Sequence, residues 1–265
     1  MQVSQRRTDF TGPALIRLLA RLTEVEVPES PQAFADRLSQ WLGWTDAIAL
    51  STALNGGPSP ATAPSADARV SPAQAAEGEC ARVRASLAKA IAEDSVFAPL
   101  PVRTPAGKAA AAPVPPQAPA ADAAGSKPDF APYRLRYQAR QQGMDAAIGP
   151  LREKLRARLA AHPSAALARL AAIDAVMEQA LGEQERRLLA GLPALLEKYF
   201  ERLRRQHEAE QAEQAQHPDT PDTPDISTAA APWLPRFGKD AQSVLLAELE
   251  LRYQPVEGLL HALRT

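Results

Sequence analysis

The sequence has one cysteine, few glycines and few aromatic residues, and each shortage excludes a class of protein. Cys80 is alone, so no intrachain disulfide can form and a secreted disulfide scaffold is excluded. Only 13 glycines occur in 265 residues, and none belongs to a phosphate-cradling loop or a nucleophile elbow. A composition led by alanine and leucine instead indicates a helix-rich protein.

Neither sign of charge dominates, and long hydrophobic runs are missing. The 30 Lys and Arg residues balance 31 Asp and Glu residues, which disfavours a general nucleic-acid binder. No apolar run approaches the roughly 18–20 residues of a transmembrane helix. Arg17 and Arg21 interrupt the apolar segment 13–22 and argue against a secretory signal, with a membrane-surface helix or a transit peptide as the alternatives. We therefore expect a cytoplasmic chain.

Proline clusters divide the chain, because segments rich in proline and poor in bulky apolar residues cannot bury enough surface to fold. Residues 98–128 contain 8 Pro and 11 Ala. The predicted segments are an N-terminal helical segment (1–54), a linker (55–70), a single docked helix (71–94), a disordered Pro/Ala-rich linker (95–131), a central helical bundle (132–216), an acidic Pro-rich linker (217–232) and a C-terminal helical pair (233–265) that docks on the bundle or on a partner.

Apolar residues recur at helical spacing in every segment outside the linkers. Leu151, Leu155 and Leu159 form one stripe, and a second stripe follows a restart at Pro163-Ser164. Gly191-Leu192-Pro193 predicts a break, since proline lacks a backbone donor. The pattern predicts an all-α fold, an elongated antiparallel helical bundle or hairpin with long disordered linkers.

Aromatic and arginine side chains are the candidate interface residues. Trp41 and Trp44 are core anchors by default, or one of them is a half-exposed interface anchor. Seven basic residues between Arg134 and Arg158 face only two acids. The simpler interpretation is that the arginines solvate helix faces, and the alternative is that the asymmetry serves an acidic partner or self-association. The complete candidate set is Trp41, Trp44, Arg134, Arg136, Arg140, Arg152, Arg156, Asp174, Trp233 and Phe237.

Residues that could carry chemistry are scarce. Cys80 lies near Arg82 and Arg84, but without a base partner it is predicted to be a plain free thiol. The spacing of His207, Glu210, Glu213 and His217 resembles a ligand set, although their polar neighbours favour a solvated tail. His162 is predicted to cap a helix junction locally. Asp174, beside an apolar stripe, is predicted to pair with an arginine rather than to catalyse. We predict no catalytic site, cofactor or metal.

Four segments resemble a proteobacterial family known as domain-of-unknown-function family 3348. The segments are Phe34–Leu54, Pro132–Ala160, Leu167–Arg204 and Val244–Arg264, which cover the helical blocks and skip the linkers. The resemblance implies a cytoplasmic accessory subunit encoded beside an envelope-type motor or OmpA-like membrane protein. It transfers no catalytic residue to this chain.

These patterns favour a non-enzymatic all-α interaction or scaffold protein, an accessory subunit of a bacterial complex at the envelope. Its expected partner is a protein, such as a neighbouring membrane or envelope protein, or a second copy of the chain. The alternative is a regulatory nucleic-acid-associated protein that uses the arginine-rich helix 134–158. An enzyme whose site is assembled from residues scattered over several helices is a third and weaker hypothesis.

Overall fold

The part of the chain described by the computed structural model, residues 13–24, 34–55, 72–98, 128–216 and 232–264, is built from helices and contains no strand. The prediction of an all-α fold is therefore confirmed. Most of each predicted linker lies outside the described residues, namely 56–70, 99–127 and 217–231. The helices are α1 (Ala14–Thr23), α2 (Phe34–Trp41), α3 (Trp44–Asn55), α4 (Pro72–Ala92), α5 (Ala131–Ala160), α6 (Ala165–Leu189), α7 (Leu192–Gln216) and α8 (Leu234–Arg264).

Helices α5 and α8 form the centre of the core. Helix α5 packs on α4, α6 and α8, while α8 also packs on α1 and α4. Helices α5 and α8 run parallel. Tyr137 of α5 donates a hydrogen bond to Glu248 of α8, and further along both helices Asp145 forms an ion pair with Arg252. Helices α5 and α6 run antiparallel. Gln141, early in α5, bonds the Leu189 carbonyl at the end of α6, whereas Arg152, later in α5, bonds Asp174, which lies earlier in α6. The arrangement is therefore not purely antiparallel.

The predicted C-terminal helical pair is a single helix, and that part of the prediction is wrong. Helix α8 continues through Pro255 although proline removes one backbone hydrogen bond. Tyr253 and Val256, on either side of the proline, are buried in the core. We attribute the continuity to this packing, which outweighs the local cost of the proline. The helix docks within its own chain.

The predicted linker 95–131 is too long, because the residues at both of its ends are packed in the core. Phe97 and Phe130 are buried in an aromatic cluster with Tyr133, Phe200 and Phe237. Ring centroids in this cluster lie 5.1 to 6.1 Å apart for the Tyr133–Phe237, Phe130–Phe200 and Phe97–Tyr133 pairs. These contacts fix the end of the α4 region against the beginning of α5.

The two breaks predicted inside the central segment are confirmed. Helix α5 ends at Ala160, and the Ser164 backbone N–H donates to His162 Nδ1 at 3.2 Å, as expected of a local cap. Helix α6 ends at Leu189 and α7 begins at Leu192, on either side of the turn at Gly191. The connections are therefore short, and α6 starts beside the end of α5.

Candidate interaction surface

Helix α3 begins with its own cap. The Gly43 backbone N–H donates to Asp46 Oδ2 at 3.0 Å, which holds the turn between α2 and α3. Asp46 is the only charged residue of this twelve-residue helix. The other side chains are apolar, hydroxyl or amide groups on all sides of the helix, a composition typical of a helix that is buried all round.

The environment of α3 does not match that composition. Helix α3 packs on α6, yet none of its residues is buried. Trp44 is 82% exposed, Ile48 52% and Trp41 41%, and Leu54 is also exposed. The default interpretation of Trp41 and Trp44 as core anchors is therefore wrong. We name Trp41, Trp44, Ile48 and Leu54 the tryptophan surface.

The arginine-rich stretch of α5 has the opposite character, because all seven of its basic residues form ion pairs within the chain. The acids that meet them come from three other helices or from the turn after α4. The pairs are Arg134–Glu197, Arg136–Asp94, Arg140–Asp94, Arg152–Asp174, Lys154–Glu79, Arg156–Asp174 and Arg158–Glu79. The local excess of positive charge seen in the sequence is thus balanced in the fold.

Asp174 pairs with two arginines of α5, and all three side chains are largely enclosed. Arg152 donates to its carboxylate from Nε at 2.9 Å and from NH2 at 2.6 Å, in a two-pronged contact between α5 and α6. Arg156 reaches the same carboxylate at 3.2 Å and also bonds Glu178. The prediction that Asp174 pairs with an arginine is confirmed. Bidentate contacts of this kind fix the register of two helices as well as attracting them.

Asp94 ties the end of α4 to α5. Its side chain is buried, and it accepts hydrogen bonds from Arg140 Nε at 2.7 Å and from the Val96 backbone N–H at 3.1 Å. Gln242 of α8 donates to the Ile91 carbonyl at 3.2 Å. The Gln242 amide therefore reaches a carbonyl of the last turn of α4, where carbonyls lack partners within the helix, and the Asp94 carboxylate holds the turn that follows.

A buried polar network between α5 and α8 was not anticipated. Glu248 is 0% exposed and accepts hydrogen bonds from Tyr137 at 2.8 Å, from Gln141 at 3.0 Å and from Arg252 at 2.8 Å. Arg252 continues the network to Asp145. The sequence held a signal, because Glu248 and Arg252 lie four residues apart within an otherwise apolar stripe of α8.

A cleft of about 230 Å³ opens beside this network between α5, α6 and α8. Its charged lining residues are Arg152, Arg186, Arg252, Asp145, Glu178 and Glu185. Because three bases meet three acids there, the cleft has no dominant sign of charge. Most of these groups are already paired with one another or with Glu248, so the lining gives little selectivity for an anion or a cation.

Trp233 and Phe237, predicted as interface residues, lie in the core. Phe237 is fully buried, and Trp233 stacks edge-on against Phe200 with ring centroids 4.8 Å apart. Both residues pack where the start of α8 meets α7 and the aromatic cluster. They are therefore inaccessible to a partner, and that part of the interface prediction is wrong.

The residues singled out for chemistry are separate in the fold. Cys80 is buried in α4, and burial raises the pKa of its thiol, which disfavours the reactive thiolate. Glu210 and Glu213 are exposed on α7, His207 contacts Gln211 at 3.1 Å, and His217 lies outside the described residues. The described ranges hold no group of three His, Cys, Asp or Glu side chains arranged for a metal ion.

The described residues form an all-helical protein in which ion pairs join α5 to its neighbours. Helix α3, which is rich in apolar residues, has no buried residue. No helix within residues 13–24, 34–55, 72–98, 128–216 or 232–264 is both long and apolar enough to cross a bilayer. Residues 1–265 match the family model described as a protein of unknown function (DUF3348), and the chain belongs to that family. No curated protein and no solved structure matches it.

Proposed function

We propose that the chain is a non-enzymatic helical interaction protein that binds a protein partner through the tryptophan surface. The observation that carries the proposal is the contrast within α3, whose apolar side chains are spread round the helix although none of its residues is buried. A helix of that composition is stable in water when another surface covers it.

Tryptophan is the side chain most enriched among residues that dominate binding energy at protein interfaces. Trp44 presents most of its area to solvent, and Ile48 lies one helical turn further along the same side of α3. Exposed apolar side chains that lie together on one helix face form the kind of patch that marks an interaction site. Covering the two side chains would remove apolar area from water at about 25 cal/mol per Å².

The arginine-rich helix gives less support to the alternative, a nucleic-acid-associated protein. Phosphate binding is driven by unpaired basic side chains that release condensed counterions. Here Arg152 and Arg156 face Asp174, and Arg140 faces Asp94. A polyanion would have to displace these acids, so the basic stretch is better suited to holding helices together.

The resemblance to the family supports the finer form of the proposal. In that form the chain is a cytoplasmic accessory subunit of a bacterial complex at the envelope, and its partner is a neighbouring membrane or envelope protein. The ion-paired core formed by α5, α6 and α8 would be the rigid scaffold that presents α3.

The test is capture of partners from the native host with tagged full-length chain after mild crosslinking, followed by mass spectrometry of soluble and membrane fractions. The variant Ile48→Asp places a charge in the tryptophan surface. The matched control Leu135→Asp alters a side chain of α5 that is 69% exposed. We expect wild type and the control to recover one stoichiometric protein, which is either a different protein or further copies of this chain. We expect Ile48→Asp to lose that protein. Equal recovery with all three chains would overturn the proposal.

A further inference from the structure

We propose that the tryptophan surface binds α3 of a second copy of this chain, as an antiparallel helix pair related by a twofold axis. The inference rests on the proposed function, since it takes α3 to be an interaction surface. It goes further by naming the occupant of that surface and the direction in which the occupant runs.

The exposed residues of α3 follow the spacing of a helix-to-helix seam. Trp44, Ile48, Ser51 and Asn55 are separated by four, three and four residues, and all four are exposed. This is the alternation by which two helices pack side by side, with knobs from one helix in holes of the other. Ala47 and Thr52 lie beside the centre of the seam, so small side chains flank it there. A second helix can therefore approach closely.

The order of side-chain sizes along the seam favours an antiparallel partner of the same sequence. Two large residues, Trp44 and Ile48, are followed by two smaller ones, Ser51 and Asn55. Antiparallel pairing centred between Ile48 and Ser51 sets each large side chain opposite a smaller one of the other copy. Parallel pairing would set Trp44 against Trp44 and leave space at Ser51. A symmetric contact of this kind is self-complementary, as twofold interfaces require.

The near absence of charge on α3 favours a second copy of α3 over a lipid surface, a nucleic acid or a strongly charged protein. The only charged side chain of α3, Asp46, already accepts the Gly43 N–H at the start of the helix. An anionic lipid surface or a nucleic acid is held by several basic residues, and α2 and α3 together carry only Arg37. A strongly charged protein would leave its own charges unmatched on α3. A second α3 introduces no unmatched charge at the centre of the contact.

The first measurement is sedimentation equilibrium of the full chain over a range of concentrations. We expect wild type to approach twice 28.4 kDa at high concentration and to dissociate on dilution. Ile48→Asp should weaken the dimer by more than about tenfold, because loss of a central side chain at an interface commonly has that effect. Leu135→Asp should leave the dissociation constant unchanged. Because Ile48 and Leu135 are both exposed, each variant is expected to retain the wild-type circular dichroism spectrum.

The second measurement tests direction with single cysteines and a short bis-maleimide, using the burial of Cys80 to keep the native thiol silent. At 1.5 Å rise per residue, the two Ser51 positions of the antiparallel pair are offset by about 4–5 Å along the axis, and the two Asn55 positions by about 16 Å. Ser51→Cys should therefore crosslink to itself efficiently, whereas Asn55→Cys should not.

Three results would overturn the inference. They are a wild-type chain that stays monomeric throughout, a dimer that Ile48→Asp does not weaken, and efficient crosslinking of Asn55→Cys, which would indicate parallel helices. If the purified chain is monomeric while Ile48→Asp still abolishes recovery of a different protein from the host, this inference fails alone and the proposed function stands.

Discussion

At the scale of single residues, Gly238 shows how closely two backbones approach in this fold. It lies in the second turn of α8, where a Cβ atom would stand 2.2 Å from the Phe97 carbonyl oxygen. That atom belongs to backbone and cannot rotate away. The glycine is therefore required by the contact between α8 and the turn after α4.

We predict that Gly238→Ala lowers the free energy of unfolding by about 1–3 kcal/mol through overpacking. Gly258→Ala in the same helix is the control, because no atom lies within 4 Å of its Cβ position. That substitution should raise stability by roughly 0.5–1 kcal/mol through helix propensity. Urea denaturation of the three chains measures both effects, and equal stability of the two variants would contradict the argument.

Glu248 is the residue on which the buried network depends. We predict that Glu248→Ala lowers the free energy of unfolding by about 3–5 kcal/mol, since it leaves Arg252 partly unpaired in the core. Glu250→Ala, an exposed position on the same helix, should change it by less than about 0.5 kcal/mol. Thermal unfolding followed by circular dichroism distinguishes the two. A loss below about 1 kcal/mol for Glu248→Ala would show that the network adds little.

At the scale of helices, α1 is held by two kinds of contact. Leu15 and Leu22 are buried, and α1 packs on α7 and α8. The guanidinium of Arg202 donates to the Leu22 carbonyl at the end of α1 and lies 5.3 Å from the centre of the Tyr199 ring. Arg202 therefore satisfies an end-of-helix carbonyl and attaches α1 to α7.

We predict that Arg202→Ala speeds amide hydrogen exchange in α1 by about tenfold or more, as loss of a charge-assisted hydrogen bond implies. Exchange in α5 and α8 should stay at the wild-type rate. Arg205→Ala is the control, because Arg205 bonds only the Glu201 carbonyl of its own helix among the described contacts. Exchange in α1 that is the same in both variants would mean that the two leucines alone hold the helix.

The helices themselves could be predicted from the sequence better than their surroundings. Periodic leucines and the breaks at 161–164 and 190–191 are local signals, so the bounds of α5 to α7 follow from them. Burial is set by what packs around a side chain, which a local pattern does not contain. Trp44 and Trp233 therefore look alike in the sequence, yet Trp44 is exposed and Trp233 is buried.

The ion pairs escaped sequence reasoning for the same reason. Arg140 and Asp94 are 46 residues apart, and Tyr137 and Glu248 are 111 residues apart, so only the tertiary fold brings them together. The charge segregation along the sequence was real, but the fold uses it to join α4, α6 and α7 to α5. Of the candidate interface, the two tryptophans of α2 and α3 are exposed and Trp233 and Phe237 are buried, whereas the arginines and Asp174 form ion pairs within the chain.

At the scale of the whole molecule, packing raises the pKa of all four tyrosines. Burial raises the pKa of Tyr133, Tyr137 and Tyr253 above the ordinary value. Burial and the hydrogen bond to Asp240 raise the pKa of Tyr199 to about 12. A phenol that ionises later in the folded chain than in the unfolded chain stabilises the fold below the unfolded pKa, and that contribution is lost as pH rises through the folded pKa.

We predict that phenolate absorbance of the folded chain begins to rise above pH 10, whereas chain unfolded in guanidinium titrates near 10. The free energy of unfolding should fall as the pH is raised from 10 towards 12. A spectrophotometric titration at 295 nm checks the first statement, and urea denaturation at several pH values checks the second. A tyrosine that titrates at its ordinary pKa in folded protein would contradict the packing described for it.

Hydrogen exchange with mass spectrometry shows whether α3 is the surface that binds the partner. Peptides covering Trp44–Asn55 are compared between the dilute isolated chain and the assembly recovered from host cells. We predict that exchange in α3 slows markedly in the assembly while exchange in α8 is unchanged. Unchanged exchange in α3, together with new protection along residues 134–158 of α5, would show that the partner binds the arginine-rich helix and not α3.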